Sequence, residues 1–208
     1  MSKIKSPYTA AITGGGFLLE ETNALLPLLE AENSDELLKD ENINNRVLHI
    51  NAETSRKKAV GEIKRRFKSM PRSFWADYKS MSAEDQVVAI FLVILKTYKI
   101  LFDFHINVTL KKWNSISKSI QLEDLMLEFN EISANDEFVD SWSEATKKKV
   151  AGSYLTILRK IKMLGKDDKL NSIKSANLTY YLTHNEAWFL EACLLQPYEI
   201  DNIKKSLL

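Results

Sequence analysis

Residues 85–104 read DQVVAIFLVILKTYKILFDF, and this stretch decides the fold. Its apolar run, Val87 to Leu95, is nine residues long before Lys96, Lys99 and Asp103 interrupt it. A membrane-spanning helix needs about 20 apolar residues. The stretch therefore reads as a helix for a protein core, and no membrane partner is expected. The chain around it has 208 residues, 45% hydrophobic, enough to bury a sizeable core. Six glycines and four prolines are too few for the turns of a sandwich or barrel, and helix formers dominate the periodic stretches. The expected fold is all-α or mainly α.

Upstream, 16–30 (GFLLEETNALLPLLE) and 34–43 read as two short helices, with NINN at 42–45 as a break. Downstream, helices near 105–118 and 121–132 complete the core, where Trp113 and Trp142 pack. Segments 185–195 and 197–207 read as two short capping helices. This outline divides into a helix-turn-helix-like subdomain at 1–80 and a C-terminal helical bundle with a winged-helix-like unit at 81–208.

The formal net charge is only +1, but charge is segregated along the chain. From Arg56 to Arg72 there are eight basic residues against one acid, Glu62. From Thr146 to Lys166 there are seven basic residues and no acid. Each block follows an acidic stretch: net −5 over 30–41 and net −8 over 121–144. Intramolecular pairing between neighbouring helices is the plain explanation of such an arrangement.

Placing the blocks on helical faces gives a second explanation. Thr54 or Ser55 caps a helix that runs to about Met70, where Pro71 stops it. Ala59, Val60, Ile63, Phe67 and Met70 share one arc, while Lys57, Lys58, Lys64, Arg65 and Lys68 share another. The second helix is capped by Ser143 and carries the stripe Val150, Tyr154, Ile157, Ile161 and Leu164. Lys148, Lys149, Gly152, Thr156, Arg159 and Lys160 form its polar face. Gly165 is the expected stop, and 165–182 (GKDDKLNSIKSANLTYYL) reads as a turn, a polar excursion and a strand-like end, a short hairpin wing. Surface helices ordinarily interleave charges of both signs; these two scarcely do, which suits an anionic polymer. Phe74, Trp75, Tyr78, Tyr180 and Tyr181 lie near the blocks, with core packing their expected role over base stacking.

A search for catalytic chemistry finds little. His49, His105 and His184 are scattered, and none has an acid or nucleophile at a motif spacing. Gly14-Gly15-Gly16 lacks the Lys-Ser/Thr of a phosphate loop and a preceding apolar strand. Adjacent acids such as Glu123-Asp124 and Asp167-Asp168 point in different directions. Neither a cofactor nor a metal site is expected, since no CxxC or HxxxH spacing occurs. Cys193 stands alone, which excludes an internal disulfide framework. Met1 to Thr13 lacks the apolar segment of a secretory signal, so a cytoplasmic location is expected.

Four segments, in this order, resemble the BrxA family, the small helical component of BREX bacteriophage-defence systems. They are ITGGGFLLEETNALLPLL (12–29), NRVLHINAETSRKKAVGEIKRRF (45–67), VVAIFLVILKTYKILFDFHINVTLKKW (87–113) and WSEATKKKVAGSYLTILRKIKMLG (142–165). The resemblance implies a cytoplasmic protein without catalytic residues, acting beside other BREX proteins and binding double-stranded DNA through helix-turn-helix-like regions. It also implies a likeness to NusB-like antitermination proteins, with RNA as the alternative ligand. The residues that carry over are the basic ones in 54–68 and 146–162.

Overall fold

The computed structural model describes residues 5–173 and 177–207. A short 3₁₀ turn, Ala11–Gly14, leads into α1 (Leu19–Glu30), α2 (Ser34–Asn44), α3 (Glu53–Lys68), α4 (Arg72–Ser80) and α5 (Ala83–Thr97). Next come α6 (Lys99–Asp103), a π-helical turn (Phe104–Thr109) and α7 (Leu110–Trp113). The chain ends with α8 (Leu122–Asn135), α9 (Glu137–Asp140), α10 (Glu144–Lys160), α11 (Thr179–Thr183), α12 (Trp188–Ala192) and α13 (Pro197–Lys205). Among the described residues there is no sheet, only two isolated antiparallel bridges, so the fold is all-α.

The apolar run sits at the centre. Ser82 caps α5 by accepting the Asp85 N–H, and Val88 to Leu95 are all buried. No helix of the described residues is long and apolar enough to cross a membrane. The helix expected over 85–104 breaks at Tyr98, whose backbone turns extended (φ −118°, ψ 97°). There the phenol reaches Glu62 and Arg66 of α3. α8, α10 and the turn 104–109 pack around this centre, and Trp113 and Trp142 are partly buried against it. Phe74, Trp75, Tyr78 and Tyr181 are core residues, and Tyr180 packs on the same core.

Helices α1, α2 and α3 contact one another pairwise around a smaller core of Leu25, Leu29, Leu38, Val60 and Ile63. Two buried charges fasten its loops. The Glu41 carboxylate accepts the backbone N–H groups of Arg46, Val47 and Leu48 at 2.9–3.0 Å. The Arg56 guanidinium donates to the carbonyls of Asn42, Ile43 and Ile50, satisfying orphan acceptors at the end of α2.

Three local expectations need correction. α3 begins at Glu53 after Ala52, so neither Thr54 nor Ser55 is its cap. α10 ends at Lys160, and its stop is Lys162, left-handed at φ 61°, rather than Gly165. The Lys162 N–H bonds the Arg159 carbonyl and the Met163 N–H the Leu158 carbonyl, closing the helix before Gly165 is reached. The hairpin wing over 165–182 is different too, with 174–176 outside the described residues. Its turn exists, bridged Leu164 to Leu170, but its strand-like end is helical α11. The outer edge of the turn pairs instead with 118–120, through the bridge Ser119–Lys169.

Candidate nucleic-acid interface

α3 buries Ala59, Val60 and Ile63, and turns Lys57, Lys58, Arg65 and Lys68 outward, with Lys64 half-buried. Not every cation of this block is available. Arg56 and Arg66 lie on the buried side, at the spacing of the apolar stripe (56, 59/60, 63, 66/67). Arg66, fully buried, donates to the Tyr98 hydroxyl (3.1 Å) and to the carbonyls of Phe17 (2.6 Å) and Gly16. Tyr98 in turn donates to Glu62. That spacing is the signal by which sequence reading would separate these two arginines from the surface ones.

Three of the exposed or half-exposed cations carry an acid partner: Lys57 with Glu53 (2.5 Å), Lys64 with Asp35 (2.5 Å) and Arg65 with Glu62 (3.6 Å). The ammonium groups hold the carboxyls of Glu53 and Asp35 below their ordinary range. Pairs at the surface such as those of Glu53 and Asp35 are screened by solvent and salt and hold their cations only weakly. Lys58 and Lys68 have no carboxylate partner among the described residues, and the Lys58 stem runs beside Gly14.

α10 has the expected cap, Ser143 accepting the Thr146 N–H, and buries Val150, Tyr154 and Ile157 with Ala151, Leu155 and Leu158. Lys147 is buried and donates to Ser133 of α8 at 3.0 Å. Lys148, Lys149 and Lys160 are exposed and have no carboxylate partner among the described residues; Arg159 pairs with Asp168 at 2.8 Å. α8, which carries much of the preceding acidic stretch, packs on α10 but does not neutralise it. Its Asp124 pairs with Lys112 and its Glu128 accepts from Asn107. Intramolecular compensation therefore operates at one point between α2 and α3, through Asp35–Lys64, and through no ion pair between α8 and α10 among the described residues.

The two basic helices share a neighbour. The turn Ala11–Gly14 packs on both α3 and α10, so Lys57, Lys58, Lys64, Arg65 and Lys68 stand on one helix that contacts it. Lys148, Lys149, Arg159 and Lys160 stand on the other helix that contacts it. Gly61 and Gly152 have open space where a Cβ would project, leaving the backbone accessible. The triple glycine is committed internally: the N–H groups of Gly15 and Gly16 both bond the Ile12 carbonyl, and the Gly16 carbonyl accepts from Arg66. Its amides are thus turned away from the anion-cradling role of a phosphate loop.

The remaining titratable groups are internal or local. His105 is fully buried between the Tyr154 hydroxyl and the Ala192 carbonyl, and burial lowers its pKa to about 4. His184 stacks on Tyr180, with ring centroids 4.0 Å apart, and lies 3.6 Å from Asp77 beside a cleft of about 350 Å³. Burial pushes the Cys193 thiol up, away from reactivity. No group of three His, Cys, Asp or Glu side chains among the described residues is arranged to hold a metal ion.

The chain is similar in fold to a solved structure, the crystal structure of an uncharacterized protein from Magnetospirillum magneticum, with a TM-score of 0.74. The match covers 90% of this chain and 98% of that one at 20% identity, and it speaks to the fold alone. Among curated proteins no relative matches. The BrxA family matches over residues 6–184, which take in both basic helices and the core between them. The chain accordingly belongs to the BrxA family, and so to the setting of BREX phage defence.

Proposed function

We propose that the protein is a non-catalytic accessory of a BREX system that binds duplex DNA by its phosphates, through the exposed cations of α3 and α10. One observation carries this reading: Lys58, Lys68, Lys148, Lys149 and Lys160 are exposed and without a carboxylate partner among the described residues, although acid-rich helices adjoin both blocks. Uncompensated like charges on one helical face repel one another, and an anionic ligand relieves that repulsion. The aromatic side chains near the blocks are mostly core, which favours a duplex over stacked single strands.

The test is duplex affinity measured against salt. Each phosphate contact adds about 0.9 to the log–log slope. Charge reversal of Lys58 and Lys68, or of Lys148, Lys149 and Lys160, is expected to flatten the slope by about two or three units, sequence-independently. Absence of duplex binding at low salt, with retained binding to another BREX protein, would replace this reading with protein docking. Preference for RNA over duplex DNA would replace only the ligand.

A further inference from the structure

Resting on that reading, we infer that loop 114–118, held against the turn after α10, is a second DNA contact: Lys118, Lys166 and Lys169 take phosphates and Ile116 enters between base pairs. Ile116 is completely exposed, at 106% of its reference area. A single exposed apolar side chain ordinarily needs no explanation. This one stands on a loop that is fastened at both ends and joined at its far end to a lysine-rich turn. At the near end the Ser115 N–H bonds the Lys112 carbonyl at 3.0 Å. At the far end the Lys118 carbonyl accepts the Leu170 N–H at 2.7 Å, and the Ile120 N–H donates to Asp168 at 3.1 Å. Ile120 is fully buried, and the Lys118 ammonium lies 4.0 Å above the Trp113 ring.

These bonds join two basic segments that lie some fifty residues apart in sequence. Lys118, Lys166 and Lys169 are exposed, with Lys111 and Lys162 nearby in sequence, and none has a carboxylate partner among the described residues. Two of the nearby acids are held in ion pairs, and Asp167 keeps its charge beside three lysines. Asp168 pairs with Arg159, Asp124 with Lys112, and Asp167 accepts the Lys169 N–H at 3.3 Å. The ledge so formed follows directly on the basic helix α10 in the chain.

The chemistry favours a base step over a lipid surface. Proteins that kink DNA insert one apolar wedge, Ile among the residues used, between neighbouring bases while flanking cations hold the backbone. Interfacial membrane binding draws on a broad apolar face, and here one isoleucine stands among polar neighbours.

The full-length chain is titrated into a short duplex that carries a fluorescent adenine analogue, whose emission rises on unstacking, and an end-to-end energy-transfer pair. Wild type is expected to raise the emission and shorten the end-to-end distance. Ile116→Ser should abolish both while duplex binding persists, and Ile116→Leu should restore them. Reversing Lys118, Lys166 and Lys169 to Glu should flatten the salt slope by about two or three units, with helical circular dichroism unchanged. If wild type binds with a slope sensitive to the α3 and α10 reversals, but neither unstacking nor slope responds to the loop variants, this inference falls and the proposed function stands. If wild type binds no duplex at low salt, both fall. Capture on phosphatidylglycerol vesicles that is lost in Ile116→Ser, without any unstacking, assigns the loop to a lipid surface and overturns the inference.

Discussion

Arg66 shows how a residue's position on a helix outweighs its charge. It belongs by sequence to the most basic segment of the chain, yet its guanidinium is consumed by two carbonyls and a tyrosine. Arg66→Met leaves the carbonyls of Gly16 and Phe17 without their donor, so urea denaturation should show a loss of about 1–3 kcal/mol. His105 makes a pH-dependent contribution of the same order. Its folded pKa, about 4, lies below the ordinary 6.5, so the unfolded chain takes up the proton first as pH falls. The stability associated with neutral His105 is complete above about pH 6.5, declines below it and levels off near pH 4, a change of about 3 kcal/mol. Chemical denaturation of wild type and His105→Gln over that interval should show this additional slope in wild type alone. Gly61 and Gly152 invite the opposite change: a methyl group meets nothing at either, so Gly61→Ala and Gly152→Ala should each stabilise by about 0.5–1 kcal/mol.

At the scale of elements, what depends on local periodicity was legible in the sequence. The apolar run at 87–95, the break at NINN, the Ser143 cap and the outward direction of Lys57, Lys58, Lys68, Lys148, Lys149 and Lys160 all follow from spacing and side-chain chemistry. What depends on distant partners was not. The turn after α10 pairs with 118–120, and no local pattern announces a partner so far upstream. Tyr98 likewise ends α5 for the sake of Glu62 and Arg66, a contact made across more than thirty residues. The mistaken helix stop has its own cause: glycine is the usual left-handed residue after a helix, and here lysine occupies that place at position 162. Lys162→Gly should therefore relieve about 1 kcal/mol of backbone strain and raise Tm by a few degrees in calorimetry.

Across the whole molecule, stability should be uneven. The larger core draws on residues from Ile12 to Leu195, whereas the α1–α3 core rests on five buried side chains, and α2 contributes to it only Leu38. Hydrogen exchange is expected to find the amides of 88–95 slowest and those of α2 opening at lower free energy, and Leu38→Ala should widen that gap. The cations themselves were readable as a set; which of them remain unneutralised depended on how α8 and α10 meet. The turn at Ala11–Gly14 has a further consequence. It packs on both α3 and α10, and its only fully buried side chain is the uncharged Ile12. The two basic helices are thereby coupled through an apolar contact, so a change of volume at Ile12 reaches both of them without altering a single charge.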